Sequence, residues 1–424
     1  MDLDKLTLIK PRATVGDTSW FQQDRFGMFI HWGLYSLAAR HEWVKRYECM
    51  TNERYERYFK HFDPDLYDPE VWAKAASDAG MKYFVITTKH HEGFCLWDSA
   101  LTDYKVTNTP YGKDLIGPMI DAFRAQNMKV GLYHSLLDWH HPEYTTDCWH
   151  PMENKEEYAA LDEKRDLNKY IDYLHAQTEE LLTKYGKIDI LWYDFTVKGD
   201  RNPKGRNEWR SDELVEKIRK IQPGIILNDR LEIVPDVQTP EQTMPRSWVE
   251  IDGQPVVWEG CHTFSGAWGY HREEYEWKSV EQLLIMLIDT VSKGGNFILN
   301  VGPTGRGEFD ERALDRLQGI GKWMKYHKRS IYGCTQAPLE FETPRDTIMT
   351  YNPEKHTLYL HMTTYRFDTI KLTGELAQHV EYAQFLHDAS EVRFGMNKEK
   401  TELNLRVPVI KPNVTIPVIE IFLK

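Results

Sequence analysis

One segment, Tyr83-Phe-Val-Ile-Thr-Thr88, leads directly into a second, Lys89-His-His-Glu-Gly-Phe-Cys-Leu-Trp97, and together they indicate the architecture of the chain. The first is short, apolar and rich in β-branched residues, and it is bounded by Gly80 and Gly93, which predicts a buried strand. The second places two histidines, a carboxylate and aromatic rings at the end of that strand. Such polar groups are rarely buried without partners, so we interpret this strand end as part of a polar pocket with aromatic walls.

Strands and helices alternate on both sides of this segment. The predicted strands span residues 26–33, 83–89, 129–137, 188–195, 225–230, 255–259 and 296–302, and the predicted helices span 68–79, 115–126, 155–185, 211–221, 280–292 and 308–325. Repeated strand–helix units predict parallel strands joined by right-handed crossovers. Six or seven such units favour an α/β fold of the (β/α)8-like TIM barrel type over an open sheet. No Gly-x-Gly-x-x-Gly follows the first strand, which argues against a dinucleotide-binding fold.

The sequence pattern changes after Cys334. Short alternating segments follow at 347–351, 357–361, 370–372 and 416–422, and no helical periodicity stands out among them. This pattern is typical of a small antiparallel β-sandwich. We therefore predict a catalytic barrel over residues 1–335 and a C-terminal β-sandwich over residues 336–424.

Composition excludes several classes of protein. The net charge of -12 and the pI of about 5.8 argue against a nucleic-acid-binding surface. No run of eighteen apolar residues is present, so no membrane span is expected. Residues 1–10 lack the pattern of a signal peptide, although a secreted protein whose leader had been removed would look the same. The 5 cysteines are scattered and odd in number, which fits free thiols in a reducing compartment and a cytoplasmic location. The 14 tryptophans suit a carbohydrate ligand, because sugar C–H faces stack on indole rings.

The apolar runs share a second property, because each one ends in polar or aromatic residues. These ends are His31-Trp32, His90-His91-Glu92, Tyr133-His134, Trp192-Tyr193-Asp194, Asn228-Asp229-Arg230, Trp258-Glu259 and Asn300. In a barrel of parallel strands the active site is built at the C-terminal ends of the strands. The alignment of so many polar ends therefore predicts one site.

The residue types at these ends suggest the chemistry. They include carboxylates, histidines, an arginine and aromatic rings, but no nucleophile elbow or phosphate loop. Two carboxylates in an aromatic, hydroxyl-binding pocket are the apparatus of glycoside hydrolysis. Asp194 ends an apolar strand and is the best candidate for a nucleophile. Asp189 lies at the start of that strand, hence at the opposite end of the barrel, where we expect a structural role.

Together these motifs resemble glycoside hydrolase family 29, the retaining α-L-fucosidases. The resemblance rests on Phe26-Gly-Met-Phe-Ile-His-Trp-Gly33, Glu42-Trp43, the Lys89–Trp97 segment, Gly131-Leu-Tyr-His-Ser-Leu136, Trp192-Tyr-Asp194, Asn228-Asp-Arg230 and Gly294-Gly-Asn-Phe-Ile-Leu-Asn-Val-Gly-Pro303. It covers residues 20–332 and implies a barrel, a two-step retaining mechanism, and neither metal nor cofactor. It implies Asp194 as the nucleophile and an α-L-fucosylated glycan as the substrate. The implied substrate-binding residues are His31, Glu42, Trp43, His90, His91, Tyr133, Trp192, Arg230, Glu259 and Trp268.

The general acid/base is less directly indicated, because its position shifts within the family. Glu241, in Gln238-Thr-Pro-Glu241, follows Arg230 at the spacing that some members use for this residue, and it is our first choice. Glu259 lies in a segment resembling one in which other members carry the acid, and it is the second choice. The chain also has Glu92 where the family often has aspartate, which changes the length of a side chain behind the sugar pocket.

Two alternatives remain open from the sequence. The histidines at the strand ends could serve a metal-dependent hydrolase. Against this, adjacent residues in an extended strand point to opposite sides, which would separate His90 from His91. A sugar-binding protein without catalysis is the other alternative, although Asp194 and two acid candidates are all present. The sequence reveals neither the preferred fucosyl linkage nor the number of subunits.

Overall fold

The computed structural model describes residues 6–365, 368–399 and 401–424 of the chain. The first five residues of the predicted barrel unit, and residues 366, 367 and 400 of the predicted sandwich, lie outside this range. The strands are β1 (Phe26–Ile30), β2 (Tyr83–Lys89), β3 (Lys129–Ser135), β4 (Ile190–Asp194), β5 (Ile226–Leu227), β6 (Glu250–Ile251), β7 (Gln254–Pro255), β8 (Glu259–Thr263), β9 (Asn296–Val301), β10 (Thr335–Gln336), β11 (Thr347–Asn352), β12 (Thr357–Met362), β13 (Asp368–Thr373), β14 (Val380–Phe385), β15 (Phe394–Met396), β16 (Glu402–Val407) and β17 (Val418–Leu423). The helices are α1 (Ser19–Asp24), α2 (Tyr35–Ala38), α3 (Val44–Tyr47), α4 (Asn52–Lys60), α5 (Pro69–Asp78), α6 (Ile116–Ala125), α7 (Glu156–Asp162), α8 (Leu167–Lys184), α9 (Ser211–Ile221), α10 (Val280–Ser292), α11 (Glu311–His327) and α12 (Gly374–His379).

Parallel strands form a curled sheet in the order β5-β4-β3-β2-β1-β9-β8. The two edge strands of this sheet are joined by an extended segment, residues 237–241. In this segment Val237 pairs with Asn228 after β5, Gln238 pairs with Trp258, and Glu241 pairs with Cys261 of β8, all in parallel. The segment therefore occupies the eighth strand position and closes the barrel, which confirms the predicted fold class.

Alternation along the strands divides the core into an inner and an outer layer. Phe29, Tyr133 and Trp192 belong to a buried cluster inside the barrel. The intervening strand residues belong to a larger cluster that also contains the apolar faces of the helices. Because side chains two residues apart share a face of a strand, Asp194 points inward like Trp192 and lies at the C-terminal end of β4.

Side-chain caps start five of the helices, α4, α5, α8, α10 and α11. Asp68 caps α5 and Pro69 occupies its first position, while Ser279 and Gln282 form a capping box at the start of α10. One prediction is wrong: residues 155–185 form two helices, α7 and α8, rather than one. The break has a physical cause, since the Asp166 side chain accepts a hydrogen bond from the Asn168 N–H and so starts a new helix.

A second error concerns the strand predicted over residues 255–259. Residues 256–258 belong to no strand, and β8 begins at Glu259, where the prediction ended. At this point Glu259 pairs with Asn296, the first residue of β9. Glu259 consequently lies at the N-terminal end of the barrel, opposite the end that carries Asp194.

The C-terminal part contains two antiparallel sheets, β10-β11-β12-β17-β14 and β13-β16-β15, around a separate apolar cluster. This arrangement agrees with the predicted β-sandwich. Two details differ from expectation. The short helix α12 was not predicted, and Leu6 packs into this cluster while Leu339 donates its N–H to the Thr7 carbonyl. The residues that begin the described chain thus contribute to the C-terminal core.

Among the helices of residues 6–365, 368–399 and 401–424, none combines the length and the apolar composition needed to cross a bilayer. The 5 cysteines are all free thiols.

Candidate active site

A cavity of about 460 Å³ opens at the C-terminal end of the barrel. Most residues that the sequence analysis assigned to a site line it: His31, Glu42, Trp43, His90, His91, Tyr133, Trp192, Asp194, Glu241 and Trp268. Arg230 lies directly behind the wall and contacts two of these side chains, whereas Glu259 lies elsewhere. The structure thus brings together the strand ends that the sequence predicted would meet.

His90 and His91 occupy a tight turn after β2 and both face the cavity, with ring centroids 4.0 Å apart. The expectation that they point to opposite sides is wrong, because the extended backbone ends at Lys89. Gly93 closes the turn with φ of 86°, a left-handed conformation that favours glycine. A Cβ atom at Gly93 would also clash with the carboxylate of Asp138. Asp138 in turn pairs with buried Lys89 at 3.2 Å, so the turn is fixed from beneath.

His31 and Glu42 form the side of the cavity nearest β9. His31 Nδ1 lies 2.6 Å from Oδ1 of Asn300, and the Asn300 amide donates to the Trp268 carbonyl at 2.6 Å. Glu42 Oε2 accepts the backbone N–H groups of Trp268 and Gly269 at 3.1 and 2.8 Å, and its Oε1 has no hydrogen-bond partner. Burial lowers the pKa of His31 well below its usual range. This side therefore presents a neutral imidazole and a carboxylate oxygen that is free to accept a hydrogen bond.

His91 is a neutral ring placed between Ser135 and Asp194. Nδ1 of His91 lies 2.6 Å from the Ser135 hydroxyl oxygen, which is also 2.9 Å from the Leu137 carbonyl. Burial lowers the pKa of His91 well below its usual range, so the ring is neutral and only one of its two nitrogens carries a proton. Nε2 lies 3.7 Å from Oδ2 of Asp194.

Asp194 is held by groups that favour its ionised form. The Tyr133 hydroxyl donates to Oδ2 at 2.8 Å, and Nη1 of Arg230 lies 3.9 Å from Oδ1. Burial raises the pKa of Asp194 above its usual value, while Arg230 and the Tyr133 hydrogen bond oppose that rise. Its side chain is 14% exposed, so it is accessible from the cavity without being open to bulk water.

Glu241 lies at the end of the barrel-closing segment and differs from Asp194 in its environment. Its Oε2 accepts a hydrogen bond from Nη2 of Arg230 at 2.9 Å, and 41% of its side chain is exposed. Burial and the negative charge of Asp194 raise the pKa of Glu241, and Arg230 opposes them. One guanidinium group therefore contacts two carboxylates, and it also lies 5.3 Å from the centroid of the Trp192 ring.

Glu259 does not line the cavity, contrary to its predicted place among the substrate-binding residues. It is buried at the start of β8, where its Oε1 accepts a hydrogen bond of 2.5 Å from the Tyr83 hydroxyl. Burial raises the pKa of Glu259 to about 7. Asp189 also lies at this end of the barrel, where its Oδ2 accepts the Val130 N–H at 3.0 Å. Both carboxylates join the strands together, as the sequence indicated for Asp189 but not for Glu259.

Several residues of the cavity were not predicted: Phe29, His41, Arg46, Tyr47, Trp149, Phe195, Gln242 and Gly266. Period-2 alternation along β1 could have indicated Phe29, which lies two residues before His31. Phe195 follows Asp194 with φ of 77°, a conformation that costs about 1–3 kcal/mol for a non-glycine residue and that clusters at functional sites. Its ring contacts Trp43 and His91 at centroid distances of 5.5 and 5.2 Å. Trp149 lies in a long loop with no local sequence signal.

Glu92 lies behind His90 rather than in the cavity. Its Oε2 is 3.4 Å from Nδ1 of His90, and the side chain is almost fully buried. Among the residues that the structure describes, no group of three or more His, Cys, Asp and Glu side chains is arranged to hold a metal ion.

Comparisons with known proteins agree with this geometry. A sequence model of the alpha-L-fucosidase family matches residues 12–329, which include every residue of the cavity. The curated alpha-L-fucosidase of Dictyostelium discoideum is 30% identical over 348 residues, 74% of this chain and 71% of that protein. The solved structure of alpha-L-fucosidase isoenzyme 1 from Paenibacillus thiaminolyticus is 43% identical with a TM-score of 0.90, covering 96% of this chain and 98% of that one. A trapped covalent intermediate of a family 29 alpha-L-fucosidase from Bacteroides thetaiotaomicron, in complex with 2-fluoro-fucosyl fluoride, is 25% identical with a TM-score of 0.85 over 100% of both chains.

Proposed function

This chain belongs to the alpha-L-fucosidase family, and from that premise we propose that Asp194 and Glu241 are the catalytic pair of an exo-acting, retaining enzyme. The enzyme hydrolyses α-L-fucosides, and its proposed substrates are oligosaccharides or glycoconjugates with terminal L-fucose. One observation carries the proposal: Arg230 contacts both carboxylates, yet one is enclosed and the other lies at the cavity mouth. Two carboxyl groups that differ in their exposure to solvent are suited to two different roles in catalysis.

Asp194 is the proposed nucleophile. A carboxylate attacks the anomeric carbon only when it is ionised, and the Tyr133 hydroxyl and Arg230 both stabilise that form. The attack forms a covalent fucosyl–enzyme ester on Asp194 and breaks the bond to the leaving oxygen. The covalent intermediate solved for the Bacteroides thetaiotaomicron relative supports the same two-step course here.

Glu241 is the proposed acid/base. A general acid must hold its proton near the working pH, and burial together with Asp194 raises the pKa of Glu241 in that direction. Its exposed position at the mouth suits contact with the leaving oxygen. In the second step the ionised Glu241 removes a proton from water, and that water releases fucose with net retention.

The enclosed part of the cavity is the proposed fucose site. Neutral His31 and His91, together with the free Oε1 of Glu42, offer donors and acceptors to the sugar hydroxyls. Trp192 and Trp268 add apolar walls against which the methyl group and the C–H bonds of fucose pack. A closed pocket of this kind admits one terminal sugar, which is why we propose exo action.

The experiment that tests this proposal replaces the nucleophile. Asp194→Gly should fold normally, lose at least about a thousandfold in kcat/KM on an aryl α-L-fucoside, and recover turnover with azide, giving a fucosyl azide of inverted configuration. Asp189→Asn, next to the start of the same strand, is the matched control and should not respond to azide. Activity of Asp194→Gly within about tenfold of the wild type would overturn the assignment, because covalent catalysis contributes several kcal/mol.

A further inference from the structure

The cavity has an outer part that the proposed catalysis does not use. Its deep residues, His31, His90 and His91, are at most 4% exposed, whereas Trp149 is 39% exposed and forms part of the rim. The Trp149 ring meets Phe195 and Trp43 edge-on, at centroid distances of 5.3 and 5.7 Å. Because Trp149 is exposed at the rim and lines the cavity, part of its indole ring is available to a ligand that extends out of the cavity.

The loop that carries Trp149 is fixed by a buried ion pair. Asp147 and Lys204 are both 0% exposed, and Lys204 Nζ lies 2.9 Å from Oδ2 of Asp147. The other Asp147 oxygen accepts the backbone N–H of Trp149 at 2.9 Å, so the pair holds the tryptophan itself. The ammonium group also donates to the carbonyls of Thr145 and Asn202 at 3.0 and 3.1 Å, which uses all three of its protons.

Such a pair is costly to bury and is weak support for stability as such. Here it joins two loops, the one after β3 and the one after β4, at the point where Trp149 enters the rim. Arg46, itself a rim residue, pairs with Glu153 of the same loop. The ion pair fixes the backbone of Trp149 at the mouth, and the ring contacts with Phe195 and Trp43 orient its indole.

We propose that Trp149 is a specificity-determining residue that stacks on the pyranose ring to which fucose is attached, and that Asp147 and Lys204 position it. This inference rests on the proposed function, because it takes the deep cavity as the fucose site. When Glu241 protonates the bridging oxygen, the sugar beyond that oxygen must lie towards the exposed rim. The apolar C–H face of a hexose or N-acetylhexosamine then meets the indole, a contact that suits tryptophan.

The test compares two substrates that share fucose but differ in the leaving group. α-L-Fucosyl fluoride has no second sugar, whereas fucosyl disaccharides with α1,2-, α1,3-, α1,4- or α1,6-linkages have one. With the disaccharide that the wild type cleaves fastest, Trp149→Ala should lower kcat/KM by about three- to tenfold. Its kcat/KM for the fluoride should stay within about twofold of the wild type. Tyr326→Ala removes a 49% exposed aromatic ring from α11 and should change neither value.

The positioning role is tested by a double-mutant cycle. Lys204→Met should lower disaccharide hydrolysis in the wild type but add no further loss to Trp149→Ala, while Lys204→Arg should retain most of the activity. Equal losses of kcat/KM on the fluoride and the disaccharide for Trp149→Ala, or no loss on any disaccharide, would overturn the stacking role of Trp149. Additive losses in the cycle would overturn the positioning role. Failure of the proposed function looks different, since the wild type would then hydrolyse neither substrate.

Discussion

Replacing Tyr133 with phenylalanine removes a single hydroxyl, the one that donates a 2.8 Å hydrogen bond to Oδ2 of Asp194. Tyr133 is fully buried, so no water replaces the lost donor at the same place without rearrangement. A hydrogen bond to a charged partner contributes about 1.5–3 kcal/mol. The donor favours the ionised carboxylate, and its loss should therefore raise the pKa of Asp194 further.

The kinetic consequence is a displaced pH profile. In the free enzyme the acidic limb of kcat/KM reports ionisation of the nucleophile, so Tyr133→Phe should move that limb to higher pH. Because 1.36 kcal/mol corresponds to one pH unit, the lower end of the range above predicts a displacement of about one unit. The assay is kcat/KM for a nitrophenyl α-L-fucoside from about pH 3 to about pH 9.

The same hydrogen bond predicts how stability changes with pH. It stabilises the fold only while Asp194 is ionised, so its contribution is present at neutral pH and is lost as the pH falls through the wild-type pKa of Asp194. Chemical unfolding at neutral pH should therefore show Tyr133→Phe to be less stable by about 1.5–3 kcal/mol, and the difference should shrink in acid.

Tyr193→Phe is a matched control for both measurements. Tyr193 is equally buried, and its hydroxyl makes one hydrogen bond of 2.8 Å, to Thr178, on the outer side of the barrel. This variant should lose stability without any movement of the acidic limb. An acidic limb that stays in place in Tyr133→Phe, or that moves equally in both variants, would refute the assignment of Asp194 as the group that this hydroxyl keeps ionised.

Three further changes give separate expected outcomes. Glu241→Ala should slow hydrolysis of a fucosylated disaccharide far more than glycosylation by a dinitrophenyl fucoside, because a sugar alkoxide does not leave unprotonated; kinetics with both substrates check this, and equal losses would contradict it. Burial raises the pKa of Glu259 to about 7, so between about pH 4.5 and about pH 7 the folded state holds a proton that the unfolded state has released. The wild type should therefore become less stable as the pH rises through this range, and Glu259→Gln should not. Relative to the wild type, the free energy of unfolding of the variant should rise by about 3 kcal/mol across this range. Urea unfolding of both proteins at about pH 5 and about pH 8 measures this, and an equal difference at the two pH values would contradict it. Gly93→Ala should lose both stability and activity, because φ is 86° and the new Cβ would clash with Asp138. The control Gly253→Ala, at φ 72° with no atom within 4 Å of the new Cβ, should lose only about 1 kcal/mol of stability. Thermal unfolding of the two variants tests this, and equal losses would show that the clash is relieved.

Much of the barrel can be predicted from local sequence signals. The run before Lys89 has the composition of a buried strand, and β2 ends at that residue. Ser211–Ile221 and Val280–Ser292 match the predicted helices at both ends. The polar residues after β1 to β5 meet because parallel strands deliver their C-terminal ends to one rim. In these cases the information lies in neighbouring residues.

The features that the sequence does not predict depend on contacts between distant residues. Val256 and Val257 are β-branched and precede Trp258, so the run predicts a strand that ends at Glu259. The barrel instead pairs Glu259 with Asn296 and starts the strand there. The segment that ends at Glu241 closes the barrel through isolated pairs, and it lacks the apolar alternation that would predict a strand. The place of Trp149 depends on an ion pair between residues 57 positions apart.

In the proposed mechanism Asp194 forms a covalent bond to fucose, and mass spectrometry of the trapped enzyme can identify the residue that carries the sugar. In a 2-deoxy-2-fluoro fucosyl fluoride the 2-fluorine slows both steps, whereas the anomeric fluoride is a good leaving group that keeps the first step fast enough. The fucosyl–enzyme ester should therefore accumulate. Digestion of the labelled protein should place one 2-fluorofucosyl group on the peptide that contains Trp192 and Asp194, and Asp194→Gly should take up none. A label on Glu241 or Glu259, or steady turnover to an inverted product without any label, would show that Asp194 is not the nucleophile.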